Sequence, residues 1–329
     1  MTHERIHRFD NLKGLAILMI VCWHLNTSEM FPMLGHKILY ITALPLFFFV
    51  SGYFSKTSSD QYAKSFKRLL IPYIIFTIVL KLFRFMLTGK IDISMIFIQT
   101  SVGLWFLVAL FFMKVMLPLF DKFRYPLLTA FICAVFFGII DIHPNILGLT
   151  RLFAYFPIFL MGFYYNSYKE KLTEIQPKLI NYYEKHFKII FVLGLVLILI
   201  AIDLLDVRVM LFKTPYAGNI LFEMIKRVAV ILIEMAMVLL LNRAMTNKES
   251  ILTKFGRNSM AIYMLHMFIL IYFMDMNVKL YVANDIITLI ANLAFVFVVT
   301  LILSADIITK FLNRITDFVA DLILKPIDY

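Results

Sequence analysis

Polar and charged residues cut the chain into ten long apolar stretches, near 11–29, 38–55, 68–87, 95–113, 126–141, 148–165, 188–205, 219–242, 257–275 and 284–309. A helix needs about 20 apolar residues to cross the hydrocarbon of a bilayer, so each stretch is close to one span. Period-2 alternation is absent, and an open sheet cannot satisfy its backbone in lipid, so the spans are expected to be helices. Of the 329 residues, 62% are hydrophobic and 16% charged, where a soluble domain has about half and about a quarter. The longest connection, 166–187, is polar and basic and too short for a catalytic domain of its own. It is expected to form a hairpin or an amphipathic helix. A single transmembrane domain over 1–329 follows, and any chemistry must lie inside the bundle or at its rims.

Charge gives the expected orientation. With the N-terminus inside, the inner segments hold 22 of the 32 Lys and Arg residues. The net charge of +11 therefore reads as positive-inside topology, not as a nucleic-acid surface. The expectation is an all-α polytopic membrane protein, a bundle of about ten transmembrane helices with both termini cytoplasmic. Cys22 and Cys133 lie in apolar runs, which argues against a disulfide framework or a zinc site. The basic start leads into an apolar run without a small-residue cleavage site, so the first segment is expected to stay as a span. No metal-ligand spacing, Gly-rich phosphate loop or nucleophile elbow is present, leaving ATPase and metalloprotease readings without support.

Ionisable groups inside spans are costly and are candidates for function. Lys13 and His24 stand eleven residues apart in the first span. On a helix that puts them on one face, about 16 Å apart along the axis. Asp10, one turn before Lys13, is a pairing candidate. His24 also reads as an interfacial histidine beside Trp23, and Lys13 as a topogenic charge. In the ninth span, Ser259, Tyr263 and His266 form one polar stripe at i, i+4 and i+7; interhelical hydrogen bonding accounts for Ser259. In the eighth, Glu223 and Arg227 have the spacing of an ion pair, while Glu234 has no partner in its own span. Lys64, Lys67 and Arg68 gather before Pro72 as fixed charges suited to phosphates. Arg151 lies near the far end of the sixth span. Ser51-Gly52 and the 103–107 segment read as close-packing points. Pro45 and Pro157 fall inside spans, which keeps broken helices, and with them a transporter or flippase, open as an alternative.

Several of these pieces also resemble a known family. Arg8-Phe-Asp10-Asn-Leu-Lys13-Gly through His24 is similar to the first span of the bacterial membrane acyltransferase 3 family, nearest its fucose 4-O-acetylase-like branch. Phe48-Phe-Val-Ser51-Gly52, Lys67-Arg68-Leu-Leu-Ile-Pro72-Tyr73, Leu104-Trp105-Phe-Leu and Gly256-Arg-Asn-Ser259-Met-Ala-Ile-Tyr263-Met-Leu-His266 follow in that branch's order. Lys13 stands where the family has an arginine, and supplies charge without the two-pronged guanidinium contact. The paired-arginine motif is approximated by Lys64, Lys67 and Arg68. The resemblance implies transfer of an acetyl group from acetyl-CoA, as co-substrate, to a hydroxyl of a cell-envelope polysaccharide or lipid-linked sugar. It also implies a multi-pass protein of the bacterial cytoplasmic membrane. On this reading His24 is the general base, oriented by a carboxylate not identified from sequence, with an acyl-histidine intermediate as a variant. Lys13, Lys64, Lys67 and Arg68 would hold the CoA phosphates, and Arg151, Tyr263 and His266 would line the acceptor side. No metal and no nucleic acid are expected.

Overall fold

A computed structural model describes residues 6–25, 33–58, 60–90, 103–141, 146–278 and 285–324. Among these residues the chain is helical, with no β-strand. The helices are α1 (His7–Leu25), α2 (Met33–Tyr53), α3 (Gln61–Ser65), α4 (Ile71–Thr88), α5 (Trp105–Phe120), α6 (Pro126–Phe136), α7 (Leu149–Phe163) and α8 (Tyr165–Ile175). They continue as α9 (Pro177–Asp203), the short α10 (Val207–Met210), α11 (Ile220–Ala244), α12 (Ile251–Arg257), α13 (Ser259–Asp275), α14 (Asp285–Leu303) and α15 (Asp306–Ile323). Every apolar stretch of the sequence contains one of them; the first part of the fourth stretch, 95–102, and the end of the first, 26–29, lie outside the described residues.

Four helical segments are long and apolar enough to cross a membrane: Met33–Tyr53, Gln61–Thr88, Pro177–Asp203 and Ile286–Leu303. α5, α6 and α7 are apolar but shorter. The outward surface explains the surround. On the second half of α9 the exposed residues include Ile189, Val192, Leu193, Val196, Leu197 and Ile200, while on α14 the buried ones include Thr288, Asn292 and Thr300. Apolar faces out and polar faces in are what lipid selects, because only the protein interior can satisfy hydrogen bonds.

The segment 166–187 is helical on either side of a break at Gln176, as α8 and the first turns of α9. Pro45 and Pro157 sit inside helices that continue through them. The sharp break lies instead at Asn258, where α12 and α13 meet at 81°. Asn258 Nδ2 donates to the Lys254 carbonyl at 3.2 Å and to Asp306 at 2.9 Å, so it serves the backbone that the bend frees and ties down the start of α15. The last apolar stretch also ends early, at Leu303, and the chain turns into α15.

Two glycine crossings set the positions of the central helices. A Cβ on Gly14 would stand 2.0 Å from the Leu252 carbonyl oxygen, and one on Gly256 would stand 1.9 Å from that of Asp10. α1 and α12 therefore touch backbone to backbone. Asn11 completes the clamp: it donates to the carbonyls of Thr246 and Lys248 and accepts from the Ser250 and Thr253 hydroxyls. α2 and α7 cross in the same way. A Cβ on Gly52 would lie 1.9 Å from the Phe159 carbonyl, and one on Gly162 would lie 2.0 Å from that of Phe49.

Gly52→Ala and Gly162→Ala should therefore each force α2 from α7, at about 1–3 kcal/mol or more of overpacking strain. The expected result is a lower melting temperature in detergent for both. Gly194→Ala, whose new methyl meets only the flexible end of Leu240 at 3.0 Å, should stay near wild type. Equal melting of all three would show that the crossing tolerates separation.

Candidate active site

The C-terminal end of α1 and the middle of α13 bring two imidazoles together. His24 Nδ1 lies 2.9 Å from His266 Nε2, and the ring planes are within 9° of parallel. His266, fully buried, places its Nδ1 2.9 Å from the Ile262 carbonyl one turn earlier. These contacts assign the protons. A carbonyl only accepts, so His266 Nδ1 carries hydrogen, and its neutral Nε2 is an acceptor. His24 Nδ1 must then donate to it, which leaves the lone pair of His24 on Nε2. The place where a carboxylate was expected to orient His24 is filled by His266, behind the first imidazole.

His24 is on the wall of a cavity of about 210 Å³, lined also by Trp23, Tyr40, Trp105, Phe106, Arg151, Lys213 and Tyr263. The chain's two tryptophans, Trp23 and Trp105, both face this space. Arg151 is buried, its guanidinium 3.8 Å over the Trp105 ring. Gly103 adopts φ +87°, a conformation suited to glycine. A side chain there would collide with the end of Met267 at 2.3 Å and reach His24 Cε1 at 3.8 Å. The 103–107 segment, read from sequence as a packing point, thus forms one wall of the site. Tyr263 donates its hydroxyl hydrogen to the Gly103 carbonyl, so it holds this wall and has no hydrogen left for a ligand carbonyl.

The remaining candidate cations lie away from that cavity. Lys13 pairs with Asp10 at 2.9 Å, and Lys64 pairs with Asp60. A π-helical turn, Phe66–Leu70, carries Lys67 and Arg68 to the edge of a second cavity, of about 710 Å³. Its other walls include Met260, Ala261 and Met264 of α13 and Asp317 and Asp321 of α15. Lys67 contacts Asp317 at 3.0 Å and Asp321 at 3.9 Å. Lys114 of α5 lies within electrostatic reach of Arg68. A lysine inside an apolar helix was the signal for it, but in sequence it counts as one more topogenic charge. α13 joins the two cavities: Met260, Ala261 and Met264 face the second, and Tyr263 and His266 serve the first.

The Glu223–Arg227 pair expected from i, i+4 spacing does not form. Glu223 accepts from Lys226 at 2.9 Å and faces Arg208 at 3.8 Å. Arg227 turns inward, donating to the Ala134 carbonyl at 2.8 Å and the Thr150 carbonyl at 3.3 Å. Those carbonyls are in the bundle interior, where a five-donor guanidinium satisfies several acceptors at once. Glu234 is fully buried, and neither carboxyl oxygen has a hydrogen-bond partner among the described residues. No group of three or more metal-ligating residues occurs among the described residues.

Compared with known proteins, residues 6–309 match the family model described as an acyltransferase domain. No curated protein and no solved structure matches the chain. The match spans the first cavity and both histidines, and reaches Lys67 and Arg68 of the second, and the transporter alternative falls with it. The apolar exterior and the buried polar interior place the domain in a bilayer. The chain belongs to the acyltransferase 3 family and is a multi-pass membrane acyltransferase.

Proposed function

We propose that this enzyme moves an acetyl group from acetyl-CoA to a hydroxyl of a cell-envelope polysaccharide or lipid-linked sugar, as in the fucose 4-O-acetylase-like branch, in the bacterial cytoplasmic membrane. The observation that carries the reading is the bare Nε2 of His24 at a cavity walled by both tryptophans. A sugar hydroxyl is a weak nucleophile at neutral pH, and a positioned imidazole is the side chain suited to take its proton. Flat aromatic walls with a few polar groups suit a sugar ring.

The hydroxyl oxygen attacks the thioester carbonyl carbon as its proton passes to His24 Nε2. The carbonyl electron pair moves onto oxygen, where the Arg151 guanidinium offsets the charge. Collapse of the tetrahedral intermediate breaks the carbon–sulfur bond. The electron pair leaves with sulfur, and the proton on His24 passes to the thiolate to give CoA. Lys67 and Arg68, with Lys114 behind them, hold the donor phosphates at the second cavity, and Lys13 supplies a further cation for the donor. The pantetheine arm then runs along α13 toward His24.

Membranes containing the enzyme, given labelled acetyl-CoA, should transfer label to a saccharide or glycolipid fraction. Lys67→Gln with Arg68→Gln should raise KM for acetyl-CoA about tenfold or more, the effect of losing charge-assisted hydrogen bonds. Lys13→Arg should keep activity while Lys13→Ala weakens donor binding. Absence of label from every saccharide fraction overturns the acceptor, and unchanged KM in the variants overturns the donor site.

A further inference from the structure

The donor route begins at the second cavity and ends at His24, and α13 runs beside all of it. Met260 and Met264 line the second cavity. Met267 is next on the same stripe, which follows i, i+4 and i+7. Burial deepens in that order: Met260 is half-buried, Met264 is 2% exposed and Met267 is fully buried.

The end of Met267 lies against Gly103, whose backbone is part of the wall of the His24 cavity. A Cβ built on Gly103 would stand 2.3 Å from Met267 Cε, 2.7 Å from its Sδ and 3.8 Å from His24 Cε1. That last carbon is bonded to Nε2, the atom assigned to take the acceptor's proton. The methionine stripe therefore ends beside the reacting nitrogen. The wall around it is held in place: the Gly103 carbonyl accepts from Tyr263, and the Phe106 ring packs edge-on to Tyr263 with centroids 5.7 Å apart. Met267, unbranched and flexible, fills what these rigid groups leave.

A thioester carbonyl carbon at His24 carries three substituents. On the reaction proposed above, sulfur points back along α13 and oxygen faces Arg151, so the alkyl group takes the remaining direction. Space there is short. The cavity measures about 210 Å³, below the range of about 300–1,000 Å³ usual for ligand pockets, and it must also admit the acceptor. We propose that Met267 gauges the acyl group: its thioether end fills the space at Gly103 beyond the carbonyl, so that acetyl fits beside His24 and a longer chain does not. This rests on the acyl-CoA reading of the two cavities, and it is tested by binding without turnover.

The probes are acetyl-CoA and butyryl-CoA analogues in which a methylene replaces the thioester sulfur, so that nothing is transferred. Both tryptophans line the cavity, and their emission in the purified full-length enzyme reports its occupancy. Wild type should bind the acetyl analogue at least tenfold more tightly than the butyryl one, the scale on which a fitted pocket tells one methylene. Met267→Ala should remove or reverse that preference, since each methylene newly buried is worth about fourfold in affinity. Met267→Val, a smaller truncation, should shift the ratio the same way if the alanine variant does not fold. Met267→Leu, of similar volume, should keep the wild-type ratio, and so should Met264→Ala, one turn earlier on the stripe. Equal wild-type affinity for the two analogues, an unchanged ratio in the Met267 truncations, or the same shift in Met264→Ala overturns the gauge. No binding of either analogue overturns the donor route and the gauge with it. A ratio that depends on Met267, without transfer of label from acetyl-CoA to any saccharide fraction, removes the acceptor reading and leaves the gauge standing.

Discussion

His24→Ala lowers kcat for acetyl transfer by about 10²- to 10⁴-fold, the contribution of a positioned general base, and leaves KM for acetyl-CoA near its wild-type value. The two effects separate because the groups assigned to the donor lie elsewhere. Lys13 is eleven residues earlier on the same helix, about 16 Å along its axis, and Lys67 and Arg68 border a different cavity. What is lost is the lone pair beside the acceptor hydroxyl. The vacated space adjoins Gly103 and the cavity, so added imidazole should enter and recover part of the rate. Initial rates with labelled acetyl-CoA, with and without imidazole, make the measurement. A kcat within threefold of wild type would remove the base from its role, and a large rise in KM without change in kcat would move His24 to the donor site.

The helices were legible because lipid forces long apolar runs, and the spacing of Lys13 and His24 on one face follows from helix geometry alone. The same is true of the stripe that holds Tyr263 and His266. That His24 and His266 touch was not legible. They are 242 residues apart, and their meeting depends on crossings at Gly14 and Gly256, where backbone contacts backbone. Local spacing also misled where a longer-range partner won. Arg227 has Glu223 four residues earlier, yet it serves carbonyls on α6 and α7, and Lys226 takes the carboxylate. Lys213 carried no signal at all in sequence. It stands in the connection before α11, and only the fold of Phe212 and Leu211 beside it turns it toward the site. Gly103 was visible as a glycine before an aromatic run, but whether it eased packing or opened a cavity depended on His24 being its neighbour.

His266→Leu lowers kcat about 10²-fold with the fold intact, which is the scale of a misplaced reacting group, and His266→Gln recovers a measurable part of the loss. His266 does not line the cavity; it acts through His24 as a positioning residue. Its Nδ1–H is committed to the Ile262 carbonyl, so its Nε2 offers a fixed lone pair, and that lone pair holds the hydrogen of His24 on Nδ1. Leucine has a similar volume but no acceptor. His24 would then lose the partner that fixes its tautomer, and a ring carrying hydrogen on Nε2 cannot accept the acceptor's proton. Glutamine places a carbonyl oxygen near the position of the lost Nε2 and can accept the same hydrogen bond. A merely space-filling role predicts the reverse order, with leucine the better tolerated. KM for acetyl-CoA should be equal in wild type and both variants. The decisive comparison is kcat for the two variants at matched melting temperature: glutamine above leucine supports tautomer control, and leucine equal to or above glutamine sinks it.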